Sequence, residues 1–90
     1  MTEDIFIIRK YLEMLGGTLA YDAPSGSDVE YKVGDISVRI KDMSLVIFYR
    51  PDRAVRVDSF KIAQYGSMDE VLELISTKVE KYQYEYSNRQ

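Results

Sequence analysis

The sequence predicts an α+β domain: an N-terminal helix, an antiparallel β-meander of four to five strands, and a C-terminal helix, with the two helices packing a single layer of sheet. Three observations predict it. Apolar residues recur at helical spacing near both ends of the chain. They alternate with polar residues through the middle, and turn residues interrupt that alternation at regular points. Ninety residues are enough for one domain and too few for two, so 1–90 reads as a single unit, with 86–90 expected to fray.

The first helix is expected over Asp4 to Leu15. Ile5, Ile8, Leu12 and Leu15 form its apolar stripe, widened by Ile7, Tyr11 and Met14. Gly16-Gly17 ends it, because glycine accepts the left-handed conformation of helix C-termini. Phe6 falls off the stripe among Arg9, Lys10 and Glu13. It either tucks against a neighbouring loop or strand or contacts a partner. Thr18 to Asp22 reads as a short strand, followed by the loop Ala23-Pro24-Ser25-Gly26-Ser27-Asp28, which has turn chemistry but neither the spacing nor the lysine of a phosphate-binding loop.

Val29, Tyr31 and Val33 alternate with Glu30 and Lys32, and Ile36, Val38 and Ile40 alternate with Ser37, Arg39 and Lys41. Gly34-Asp35 between them suits a type II′ hairpin turn. Lys41-Asp42 then leads into Met43 to Arg50, where both sides of the strand are apolar: Leu45, Ile47 and Tyr49 on one, Val46 and Phe48 on the other. Such a strand is usually central and covered on both sides. After the turn at Pro51-Asp52-Arg53, Ala54 to Asp58 forms a strand with Val55 and Val57 inward and Arg56 outward. Phe60 and Ile62 break that phase, which predicts a bulge near Asp58-Ser59. The last helix begins at Ser67, where Ser67-Met68-Asp69-Glu70 fits a capping box. Val71, Leu72, Ile75, Val79, Tyr82 and Tyr86 share its apolar arc, while Tyr84 faces away alone.

Composition narrows function mainly by exclusion. At 46% hydrophobic and 30% charged residues the chain is globular rather than disordered. It has no cysteine and no histidine, which removes disulfides, thiolate zinc sites, thiol nucleophiles, and the commonest general base and metal ligand. Its carboxylate pairs, Glu3/Asp4 and Asp69/Glu70, sit at helix starts, where capping and the helix dipole account for them. Asp22 and Asp28 flank a loop without the spacing of a calcium loop. No catalytic residue, metal or cofactor is therefore assigned. No apolar run reaches the ~18 residues of a membrane span. The acidic start Met1-Thr2-Glu3-Asp4 is unlike a secretory signal, so a cytoplasmic location and no membrane partner are expected.

The net charge of −3 is uneven. Residues 29–65 hold seven bases and five acids, while the segments on either side are acidic. If Ile36, Val38 and Ile40 point to the core, Ser37, Arg39 and Lys41 share the opposite face, and antiparallel pairing brings Val46, Phe48 and Arg50 onto it with Lys32 and Arg56 alongside. Two arrangements fit. Either the helices divide the sheet between them and bury Val46 and Phe48, or they share one face and leave these residues bare. The sequence thus predicts a non-enzymatic protein–protein interaction module or small regulatory module that self-associates as a homodimer or binds another protein. Its candidate surface is Arg39, Lys41, Val46, Phe48, Arg50 and Arg56, with Phe6 and Tyr84 as secondary candidates. The alternative is nucleic-acid binding, with an aromatic ring stacking bases and cations holding phosphates. The pI of about 4.9 and the lack of a ribonucleoprotein motif count against it.

Overall fold

Glycine sets the first corner of the fold. In the computed structural model, which describes residues 2–24, 28–51 and 56–87, helix α1 spans Thr2–Met14. It ends at Gly16, whose φ of 89° is left-handed. Gly17 follows with its N–H donating to the Leu12 carbonyl at 2.9 Å. A Cβ on Gly17 would lie 2.7 Å from that same oxygen, so no larger residue fits the approach.

Five strands follow: β1 (Thr18–Asp22), β2 (Asp28–Val33), β3 (Ile36–Lys41), β4 (Ser44–Tyr49) and β5 (Arg56–Lys61). They form one antiparallel sheet in chain order. Gly34 takes a φ of 63° in the β2–β3 turn while Asp35 does not turn left-handed, as a type II′ turn requires. In the β3–β4 turn both Asp42 (φ 51°) and Met43 (φ 60°) are left-handed, the pattern of a type I′ turn. The turn therefore lies one residue later than the sequence predicts, and β4 starts at Ser44. The expected change of phase in β5 is present, but the unpaired residue is Val57, between the pairs Ile47↔Asp58 and Phe48↔Arg56. A second irregularity leaves Ala20 unpaired in β1.

A 3-10 turn at Ile62–Gln64 leads to helix α2, Met68–Ser87. Ser67 caps α2: its hydroxyl accepts the Glu70 N–H at 3.3 Å. The Glu70 carboxylate accepts the N–H of Gly66 at 3.1 Å, one residue before the position a standard capping box uses.

The register decides which face is core. Val29, Tyr31, Val33, Ile36, Val38, Ile40, Leu45, Ile47 and Phe60 share one side and are all buried. Both helices pack there. Ile8 and Leu12 of α1, and Val71, Ile75, Val79, Tyr82 and Tyr86 of α2, complete the core. On the α1 side the Tyr31 hydroxyl donates to Glu13 at 3.0 Å and accepts from Arg9 at 3.2 Å. On the α2 side Tyr86 stacks on Tyr49 with centroids 4.7 Å apart, and Asp58 accepts from Lys78 and Tyr82. The helices thus share one face, which settles the choice between the two arrangements.

Several side chains depart from their expected places. Ile7 and Met14 are exposed, because the covered stripe of α1 is narrower than the apolar run. Phe6 is 59% exposed with the Lys10 ammonium 5.5 Å from its ring centre, so it is not tucked against a strand or loop. Ile62 opens the 3-10 turn and is buried. Tyr86, where fraying was expected to begin, is helical and buried. Ser25–Ser27, Asp52–Val55 and 88–90 lie outside the described residues, and with them the expected inward position of Val55.

Candidate interaction face of the sheet

The face opposite the helices is built by the same alternation, read one residue out of phase. Cross-strand rows order it. Tyr21, Glu30, Arg39, Val46 and Ser59 form one row; Thr18, Lys32, Ser37, Phe48 and Arg56 the next; Asp28, Lys41, Ser44 and Lys61 a third. Five of the six primary candidates thus come from neighbouring strands on one face, and Arg50 joins them through the bonds of its side chain. The side chain of Arg56 lies outside the described residues; its backbone pairs with Phe48. Val46 and Phe48 are half-buried with no helix over them. The secondary candidates lie elsewhere, Phe6 on α1 and Tyr84 on the outer side of α2.

Two arginines organise the electrostatics. Arg39 forms a bidentate pair with Asp28, at 2.8 Å through Nε and 2.6 Å through Nη2. Its guanidinium also lies 5.5 Å from the Tyr21 ring centre. The hydrogen bonds from Arg39 hold the Asp28 carboxyl below the usual carboxylate range. Arg50 Nη1 donates to Glu30 Oε2 at 3.1 Å and to Ser37 Oγ at 2.9 Å. Glu30 and Ser37 are 4% and 0% exposed, although they sit on the side without helices. Arg50 bonds to both, so the buried polar groups of this face find a partner in the sheet's own arginine. A shallow recess of about 260 Å³ remains between Ala20, Tyr21, Glu30, Arg39 and Arg50.

Lys32, Lys41 and Lys61 are different. All three are exposed, and none forms an ion pair among the described residues, although Lys41 is near enough to Asp28 to help lower its pKa. Tyr21, Glu30 and Lys61 had no place in the predicted surface. Tyr21 reaches this face only because Ala20 is skipped in the register. Lys61 is assigned to it only once the irregularity is placed at Val57. The phase change across 56–62 was the available signal for Lys61; Tyr21 had none.

The face presents cations, a half-covered apolar strip, a phenol and hydroxyls: groups suited to binding. Among the described residues, no group of three or more acidic side chains is placed to hold a metal ion, and no helix is long and apolar enough to cross a membrane. Comparison with known proteins gives no matching family model, no similar curated protein and no similar solved structure.

Proposed function

We propose that this protein is a non-enzymatic interaction module that binds another protein through the face of its sheet opposite the helices. One observation carries the reading: both helices pack on the same side, so β4, apolar on both sides, turns Val46 and Phe48 to the side opposite the helices. An antiparallel sheet covered on one side normally alternates apolar-in with polar-out, and β4 departs from that rule where the neighbouring cations are densest. A second copy is one possible occupant. Stacking two such faces would set one lysine-bearing surface against another, which favours a different protein.

The test is photo-crosslinking in the cells that make the protein, with p-benzoylphenylalanine at position 48 and, separately, at position 84. A discrete protein adduct from position 48 alone supports the reading, and an adduct of twice the chain mass identifies the partner as a second copy. Adducts from position 84 alone would move the interface to the helix layer and overturn it. A nuclease-sensitive adduct from position 48 would establish the nucleic-acid alternative instead. That alternative draws on Tyr21 and Phe48 sharing a face with exposed lysines, the pairing of ring and cation used for single strands.

A further inference from the structure

The charges of this face define the chemistry of its occupant, an inference that rests on the reading above. Arg39 and Arg50 are tied to Asp28 and Glu30, so the described acids of the face are already matched by arginines from the same face. Among the described side chains of this face the three lysines remain, an excess of +3 on a chain of −3. The acidic character of the whole molecule does not cancel it. The shortest dimension is 22 Å, nearly three screening lengths at physiological salt, where the Debye length is about 8 Å. Carboxylates on the outer side of α2, such as Glu73 and Glu80, are therefore largely invisible to a ligand on the opposite side.

The lysines frame the apolar strip. Lys41 and Lys61 flank Ser44 in register, and Lys32 lies on the far side of the strip, level with Phe48. From Lys32 on β2 to Lys61 on β5 is three strand spacings and four residues along the strands, roughly 20 Å, with Val46 close to the midpoint. Six steps of an extended chain cover about the same length. In such a chain alternate side chains face one way. We propose that the face takes an extended acidic segment of a partner protein, with carboxylates at its two ends meeting the lysines and apolar side chains between them resting on Val46 and Phe48. Opposite charge steers the segment to this side, and the acidic helices turn it away from the other.

The probe is the capped peptide Glu-Ser-Leu-Ser-Leu-Ser-Glu, titrated into the ¹⁵N-labelled full chain and followed by amide shifts. Saturable shifts centred on β3 and β4 are expected. Binding should weaken about three- to fivefold for Lys32→Ala or Lys61→Ala, since exposed ion pairs contribute modestly. It should weaken further in Lys32→Glu/Lys61→Glu and fall as salt rises. The amide spectrum of each variant shows that it is folded. Absence of saturable shifts on the sheet, equal binding of the peptide with lysine in place of glutamate, or tighter occupation of the same amides by oligouridylate would each overturn the proposal. If the peptide fails while position 48 still crosslinks to a protein, the acidic chemistry is wrong and the interaction module stands.

Discussion

The two faces of this sheet solve the same problem in different ways. On the covered face Asp58 lies among apolar side chains, and its partners Lys78 and Tyr82 come from α2, a different layer. On the bare face Glu30 and Asp28 are matched by Arg50 and Arg39, from the sheet itself. Pairing across layers fastens a helix to the sheet. Pairing within a layer stabilises the face without needing a lid, and so leaves it available. The comparison predicts that neighbouring residues on one strand differ greatly in their contribution to stability.

The largest difference lies between Ile47 and Val46. Ile47 is fully buried under the helices, and Ile47→Ala should cost about 2–5 kcal/mol in denaturant unfolding, for lost transfer energy plus a cavity. Val46→Ala removes less side chain from a half-exposed site and should cost about 1 kcal/mol or less. Equal losses would mean that the bare face is packed as tightly as the core, and the comparison would fail.

Arg50→Met probes the within-layer pairing. It keeps an apolar stem over the sheet but takes a charge-assisted hydrogen bond from the buried Glu30 carboxylate and another from Ser37. A loss of about 1–3 kcal/mol is expected. A negligible loss would show that Glu30 reaches water or other partners easily, and that the arginine is not what closes this face.

The sequence carried the covered face well and the bare face only in outline. Helical spacing, the Gly16 stop, the Gly34 turn and the Ser67 cap are local signals, and they place α1, the β2–β3 hairpin and α2 to within a residue or two. What sequence alone leaves open is long-range. Sharing of one face by both helices depends on packing between α1 and α2, which periodicity does not encode. The burial of Glu30 and Ser37 depends on Arg50 folding back over β2 and β3 from 20 and 13 positions away in sequence. Of the six primary candidates, Arg39 and Arg50 owe much of their place to this internal pairing. Lys41 keeps its free charge, and Val46 and Phe48 keep a half-exposed surface.

Acid titration separates the two pairings. Burial opposes ionisation of Asp58, but hydrogen bonds from Lys78, Tyr82 and the Ser59 N–H outweigh it and lower its pKa. The bonds from Arg39 lower that of Asp28. A carboxyl whose folded pKa is depressed contributes fully above its unfolded value, about 3.9, and loses that contribution as pH falls through the folded value. Asp58→Asn and Asp28→Asn should each flatten the fall of the melting temperature below about pH 4. At high pH the sign reverses for Tyr82, which burial and Asp58 push up to about 12. Its contribution holds below about pH 10 and fades as pH rises toward 12. Tyr82→Phe should abolish that fade.

The smallest expected effect is the sharpest test of what the bare face is for. Lysine stems can shield apolar surface while their charges stay in water, so Lys32, Lys41 and Lys61 have a possible role in the fold itself. If that were their role, replacing all three with alanine would expose Val46 and Phe48 further and lower the unfolding midpoint clearly. The geometry argues otherwise, because the side-chain bonds across this face run from Arg39 and Arg50, with Tyr21 beside Arg39, and the triple variant keeps all three. Stability should then change by no more than about 0.5 kcal/mol per site, measured by urea unfolding with an unchanged slope. Removing three like charges from one face can even raise it slightly. That outcome would leave the three lysines without a part in the fold, as the proposed acidic segment requires of them.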